Sequence, residues 1–313
     1  MINLILVFEK SSLFKFFIIL FFSNILKKII IYNLKKQISQ CFQMLNLKIA
    51  KKQKIPISRN KLKKLDDTIN LIHNGTAREF TNSLCIEALN HQAVNHKYLK
   101  KMNQGGFKNK KMILRDYASQ YSYYSSKFVI YLKNVINQLD NKKHKKILSE
   151  NYLEEFGNPK SKVFEHLPHK KMFEIFSNEV GATTEYKKKN GSCLTSRVWG
   201  DLFNQKCKSK LPGVGIGAIG IGTEFIIPHI FSSILSFVKS EKSLSYKCSY
   251  FFELHTKSDI KHSNTLINCI EEIAENKLAR EGLRFGAISA LNLRKAFWDN
   301  MLARATNIEK NNN

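Results

Sequence analysis

The sequence contains few of the residues that interrupt helices. Its 313 residues include only 5 prolines and 14 glycines, and strand-like alternation of apolar and polar residues is rare. Apolar residues recur instead with helical spacing from about residue 80 onward. We therefore predict an all-α protein that is large enough to bury a substantial core.

Arginine is also scarce, although the formal net charge is +26. The positive charge comes from 43 lysines and only 8 arginines. Specific recognition of phosphates and bases favours the bidentate guanidinium group of arginine. The charge therefore indicates solvated, lysine-rich helix faces, and no specific nucleic-acid partner is expected.

The six cysteines include no CxxC pair. This spacing excludes a zinc site built on cysteines and gives no disulfide pattern. We expect reduced thiols and a cytoplasmic protein. The cysteines are Cys41, Cys85, Cys193, Cys207, Cys248 and Cys269.

The N-terminal apolar run at 13–26 is too short to span a membrane, because a spanning helix needs about 20 apolar residues. No transmembrane segment is expected. Residues 1–43 form an apolar extension with two interpretations: an amphipathic element on a membrane surface, or an over-extended start whose true initiator is Met44. The remaining predicted regions are a lysine-rich lead at 44–79, one helical domain at 80–307 and a disordered tail at 308–313.

Helical periodicity predicts seven helices in the domain, with turn signals between them. Gly105 and Gly106 predict a turn, and the run from Gly157 to Pro159 predicts a helix end. The predicted helices are 78–102, 108–139, 143–156, 164–180, 213–237, 244–274 and 279–307.

Three residues near the C-terminus have the spacing of a metal site. His255, Asp259 and His262 lie at positions i, i+4 and i+7 of a predicted helix, so they project from one face. Two imidazoles and a carboxylate suit iron or manganese. The alternative for this spacing alone is a solvated polar face.

Three other motifs precede this triplet, and a fourth contains it. They read ENYLEEFG at 150–157, HKKMFEIFSNEVG at 169–181, GTEFIIP at 222–228 and FELHTKSDIKH at 252–262. The succession resembles the haem-oxygenase-like diiron oxidases, a superfamily of iron-containing redox enzymes. The resemblance runs from about His91 to Leu302, and it implies a haem-oxygenase-like seven-helix bundle.

The resemblance implies a set of six metal ligands. The first carboxylate falls on Glu155, and Glu154 is the alternative because adjacent helical side chains point about 100° apart. The first histidine falls on His169 rather than His166. The implied ligands are three carboxylates and three histidines: Glu155, His169, Glu224, His255, Asp259 and His262.

By the same resemblance the protein is expected to be a non-haem diiron oxidase or oxygenase. Its cofactors would be two iron ions, or an iron–manganese pair, with dioxygen as co-substrate. The expected substrate is a small amine, amino acid or fatty-acid-like molecule. Electrons would come from an external donor or from the substrate, because no flavin or nicotinamide site is evident. A homodimer is one expected assembly.

Two sequence features lie beside Glu224. Pro228 has no N–H for the Glu224 carbonyl, so we expect the helix to loosen there. Upstream, Gly215, Gly217 and Gly220 spell G-x-G-x-x-G, but no strand is predicted before them. We interpret these glycines as a close helix contact rather than a dinucleotide site.

Tyrosines are frequent where the sequence resembles the first two helices of the family. The resemblance places Tyr117, Tyr121, Tyr123 and Tyr124 near the metal pocket, and we interpret them as core residues rather than catalytic ones.

One branch of the superfamily resembles a p-aminobenzoate synthase that consumes its own tyrosine with help from a lysine. Those positions fall on Leu99 and Ile234, so the self-consuming chemistry is in doubt here. Tyr98 lies next to the first of them.

Two alternative functions remain open. The first is a metal-free bundle of the thiaminase type, against which the six candidate ligands count. The second is a basic binding or effector protein that uses the bundle as a scaffold. Binding that depends on salt, without metal, would favour the second alternative.

Overall fold

The computed structural model describes the backbone of residues 69–257 and 259–311, and the side chains of these residues apart from 257–262. The predicted extension at 1–43 and most of the lysine-rich lead at 44–79 lie outside the described residues. So do residues 312 and 313 of the predicted tail.

The described residues are mainly helical, and no strand is assigned among them. The prediction of an all-α fold is thereby confirmed. Thirteen α-helices occur in this part of the chain, joined by turns and two short 3₁₀ segments at Phe164–His166 and Glu224–Ile226. The helices are α1 Ala77–Leu89, α2 Lys97–Asn103, α3 Lys110–Ser125, α4 Phe128–Gln138, α5 Lys142–Phe156, α6 His169–Glu179, α7 Thr184–Asn190, α8 Leu194–Cys207, α9 Val214–Ile219, α10 Ile227–Lys239, α11 Tyr246–Lys257, α12 Asp259–Ala274 and α13 Lys277–Asn311.

Several predicted helices are divided in the structure. The predicted helix 78–102 is two helices, and the ring nitrogen of His96 caps the second by accepting from the Tyr98 N–H at 3.1 Å. The helix predicted at 213–237 stops at Ile219 and resumes at Ile227. The last helix continues to Asn311, so residues 308–311 are helical where a disordered tail was predicted.

Helices α7 and α8 were not predicted from the sequence. Lys187, Lys188 and Lys189 followed by Gly191 have the composition of a loop. Yet Trp199 and Phe203, one helical turn apart, are buried, and Trp199 stacks on Tyr124 of α3 with ring centroids 4.0 Å apart. Packing of these aromatic side chains against the rest of the bundle therefore stabilises α8.

The glycine-rich stretch lies in a very close helix contact between α9 and α13. A Cβ atom on Gly217 would lie 2.2 Å from the Leu283 carbonyl oxygen, and one on Gly286 would lie 2.0 Å from that of Val214. Only glycine permits this approach of two backbones. These contacts account for the glycines by packing, and no strand precedes them in the described chain.

One stretch of the described residues, Val214–Lys239, is long and apolar enough to cross a membrane. Its apolar window is 83% buried inside the bundle. A core helix has the same composition, so this stretch is weak evidence for a span.

Candidate metal centre

A glycine joins the first two elements of the site. Gly157 ends α5 with φ +53°, and a Cβ atom there would lie 2.6 Å from the Pro168 nitrogen. The loop closes where the Asn158 N–H donates to the His166 carbonyl at 2.7 Å. The end of α5, which carries Glu155, is therefore held against the start of α6, which begins at His169.

Three candidate ligands converge in the interior. Potential ligand atoms of Glu155, His169 and His255 all lie within 4.8 Å of one another. Glu155 Oε1 is 2.9 Å from His169 Nδ1 and 3.7 Å from His255 Nε2. One carboxylate and two imidazoles thus surround a single point.

His255 is oriented by its own helix. Its Nδ1 lies 2.7 Å from the Phe251 carbonyl oxygen, one turn earlier. A carbonyl can only accept, so Nδ1 carries a hydrogen, and Nε2 is the ring nitrogen that faces Glu155. Metal-binding histidines commonly have this arrangement, with the distal nitrogen fixed by a backbone carbonyl.

Glu224 enters the same cavity from the 3₁₀ segment before α10, and it is 4% exposed. Pro228 lies in the first turn of α10, and regular α-helix is absent at Glu224, as the proline predicted. The Glu224 carbonyl accepts instead from the Ile227 N–H and from the Ser263 hydroxyl, the latter at 3.3 Å. Ser263 thereby ties this turn to α12.

The two glutamates have opposite electrostatic states. Burial raises the pKa of Glu155, but His169 and His255 lower it more, so its carboxylate stays ionised. Burial and then the charge of Glu155 raise the pKa of Glu224 to about 8. Without a cation, Glu224 is therefore mostly protonated at neutral pH, because two adjacent buried carboxylates repel each other.

Polar atoms at the site favour a bound cation. His169 Nδ1 is buried, and its N–H direction meets no acceptor among the described residues, although Glu155 Oε1 is only 2.9 Å away. A carboxylate oxygen and an imidazole nitrogen this close, without a well-directed hydrogen bond, are placed as two ligands of one metal would be. Carboxylate and imidazole donors suit iron or manganese, so the residues present fit these ions.

The cavity around these side chains is small, about 40 Å³. Its walls are mainly aromatic, and burial raises the pKa of one wall residue, Tyr121, to about 12. Lys170, which is exposed, also lines it, so the cavity reaches the surface there. The remaining wall includes Tyr124, Phe173, Phe231 and Phe251.

Residues 115–295 match the sequence pattern of a family described as iron-containing redox enzymes. The match spans more than half of the 313 residues. The chain belongs to the iron-containing redox enzyme family.

Solved structures share its fold. A TenA homolog from Pseudomonas syringae pv. tomato superposes with a TM-score of 0.58 and 13% identity, over 72% of this chain and 93% of its own. A domain of unknown function with a heme-oxygenase-like fold from Shewanella denitrificans superposes with a TM-score of 0.56 and 13% identity, over 80% of this chain and 95% of its own. A CADD-like protein of unknown function from Nostoc punctiforme superposes with a TM-score of 0.54 and 14% identity, over 79% of this chain and 97% of its own. Identities this low show the haem-oxygenase-like fold alone, and no curated protein matches the sequence.

In this iron-containing redox enzyme, four of the six predicted ligands line one cavity. These are Glu155, His169, Glu224 and His255. The side chains of Asp259 and His262 lie outside the described residues, although their backbone is part of α12. Their role as ligands stays a prediction.

The alternatives considered for the ligands face away from the cavity. Glu154 and His166 are exposed, whereas Glu155 is 8% exposed and faces inward. Tyr98 is buried but stacks on Trp298, with centroids 5.7 Å apart, and does not line the cavity.

Arg294, which is 1% exposed beside the site of this family member, was not predicted from the sequence. Its guanidinium lies 5.2 Å from the Trp199 ring and 5.6 Å from the Tyr124 ring. Burial and the charge of Glu155 are the larger effects on Glu224, and both raise its pKa. The charge of Arg294 opposes them by lowering that pKa. The buried positions of α13 around Arg294 have helical spacing: 287, 290, 291, 294 and 297. This spacing is the sequence feature that could have indicated that Arg294 is buried.

Proposed function

We propose that the protein is an O2-dependent oxidoreductase with a non-haem diiron, or iron–manganese, centre. The observation that carries the proposal is the convergence of Glu155, His169 and His255 within 4.8 Å, with Glu224 in the same cavity. The family is iron-containing, and these side chains are the ionisable groups that would hold the metal.

The ligands divide between two metal positions. Glu155, His169 and His255 surround one position. Glu224, with Asp259 and His262 from α12, would supply the second. Dimetal carboxylate centres in helical bundles use a similar mixture of carboxylates and histidines. Bound iron would supply the redox chemistry toward dioxygen.

The protein's own residues hold and protect this centre. The Phe251 carbonyl fixes the tautomer of His255, and the Ser263 hydroxyl fixes the backbone of Glu224. Aromatic side chains exclude water from the interior, and a small cavity restricts what can approach. From the resemblance to the haem-oxygenase-like diiron oxidases we propose a small amine, amino acid or fatty-acid-like substrate, with electrons from an external donor or from the substrate.

The cellular setting is also a proposal. Five cysteines in the described residues are free thiols, which supports a reducing, cytoplasmic environment. A homodimer is a proposal as well, and size-exclusion chromatography with light scattering would test it.

Iron loading tests the proposed centre. The purified protein is loaded anaerobically with ferrous iron, desalted and analysed for metal, and about two irons per chain are expected. Glu155→Gln should lose most of the bound iron, because a neutral amide replaces the carboxylate shared by both histidines. Glu154→Gln is the matched control on the exposed neighbour and should bind iron like the wild type. Absence of bound iron in the wild type would contradict the proposal.

A metal-free function of the thiaminase type is the second candidate. The fold similarity to a TenA homolog favours it, but that similarity shows the fold alone. A folded wild-type protein that binds no iron and hydrolyses thiamine would support this candidate instead.

A further inference from the structure

A second cavity, of about 320 Å³, lies between α3, α7 and the end of α13. Its volume is at the lower end of small-molecule pockets. It shares no lining residue with the metal centre. The residues that line this cavity include Met112, Arg115, Asp116, Tyr186, Arg304 and Asn307.

The two arginines of this cavity differ in their partners. Arg304 is neutralised by Asp116, with Nε to Oδ2 at 2.8 Å and Nη2 to Oδ1 at 2.5 Å. Arg115 forms no ion pair with any residue in the described part of the chain. The cavity therefore carries one positive charge that the described side chains do not compensate.

Arg115 is held in a fixed orientation. The Arg115 side chain packs against the backbone of Gly181, a residue with φ +85°. A Cβ atom at Gly181 would lie 3.4 Å from the Arg115 Cδ. Its guanidinium carbon lies 4.9 Å from the centroid of the Tyr186 ring. Its buried Nε makes no hydrogen bond to a described residue. This Nε is enclosed by protein, so a ligand in the cavity would meet the two terminal nitrogens of Arg115, which make no hydrogen bond to a described residue.

We propose that this cavity binds a small oxyanion, a carboxylate or a phosphate, carried on a short apolar group. The two terminal nitrogens of Arg115 can donate two parallel hydrogen bonds to such a group. Met112 offers an apolar wall beside it, and the Asn307 amide offers a further polar contact. Lys187, Lys188 and Lys189, next to Tyr186 in α7, increase the local concentration of anions.

Calorimetric titration of the full chain with three probes tests this site. The probes are inorganic phosphate, acetate and hexanoate at constant ionic strength, and at least one should bind saturably. Arg115→Gln should weaken that binding at least about tenfold, because a charged bidentate contact is lost. Arg197→Gln, on the exposed face of α8, is the matched control and should bind like the wild type.

Two further variants make the result specific to the cavity. Arg115→Lys keeps the charge but not the fork, so its affinity should fall between those of the wild type and Arg115→Gln. Asn307→Trp, at an exposed position, should weaken binding by filling the cavity while both arginines remain. Tighter binding of phosphate than of either carboxylate supports a phosphate ligand, and the opposite order supports a carboxylate. Absence of saturable binding, or unchanged affinity in Arg115→Gln, would overturn the proposal.

Discussion

The two cavities of this bundle differ in the charged groups that they hold: carboxylates in the metal centre and an arginine in the second cavity. In the metal centre, Glu224 is held beside the ionised Glu155, and their repulsion helps to raise the pKa of Glu224 to about 8. In the second cavity, Arg115 is held without a carboxylate partner among the described residues. Holding a partly buried guanidinium without a partner costs free energy that a bound ligand of opposite charge would offset. The first cavity therefore suits a cation and the second an anion.

Glu224→Gln should produce the largest change, the loss of the second iron. The amide resembles the protonated carboxyl that the metal-free protein holds at neutral pH, so the melting temperature without metal should change little. The test measures the number of irons bound per chain and, by calorimetry, the melting temperature of the metal-free protein. Full occupancy by two irons would show that Glu224 is not a ligand.

Gly157→Ala should destabilise the protein by about 2–4 kcal/mol. The new Cβ would lie 2.6 Å from the Pro168 nitrogen at a residue with φ +53°, which would push Glu155 away from His169. Urea unfolding and iron stoichiometry should both report the change.

Gly191→Ala is the matched control for that variant. Gly191 has φ +63°, but a Cβ there would meet no atom within 4 Å, so only the backbone strain of about 1–2 kcal/mol should be measured. Equal losses in the two variants would show that the contact with Pro168 is unimportant.

Ser263→Ala should cost about 1 kcal/mol and weaken the second iron position. The hydroxyl donates to the Glu224 carbonyl, which Pro228 leaves without its helical partner. Ser232→Ala removes a comparable hydroxyl contact on an exposed helix face, and it should leave iron binding unchanged. Equal iron affinity in both variants would argue against a role for Ser263.

Tyr98→Phe should have the smallest effect, within about 1 kcal/mol of the wild-type stability. The Tyr98 hydroxyl is buried without a hydrogen bond to a described residue, and it does not line the metal cavity. Iron stoichiometry should stay at the wild-type value. A loss of iron in Tyr98→Phe would place this tyrosine in the site after all.

The spacing of His255, Asp259 and His262 is visible in the sequence, and the other candidate ligands were implied by the resemblance of their motifs to a known family. Glu155, His169, Glu224 and His255 do line one cavity, while Asp259 and His262 stay predictions. The choice between Glu154 and Glu155 needed the structure, because both fit the motif and only burial separates them. Arg294 was missed because a lone arginine in an apolar register has no motif, although its spacing marks it as buried.

The sequence by itself determined the helical class, since scarce proline and glycine and recurrent helical periodicity leave few alternatives. It also determined which residue types could bind a metal. Tertiary structure alone decided which side chains meet, because helix ends and crossings set those distances. Gly157 brings Glu155 to His169 through a backbone contact that no local pattern encodes. The second cavity likewise joins Asp116 of α3 to Arg304 near the end of the chain, a proximity that depends on packing rather than on spacing.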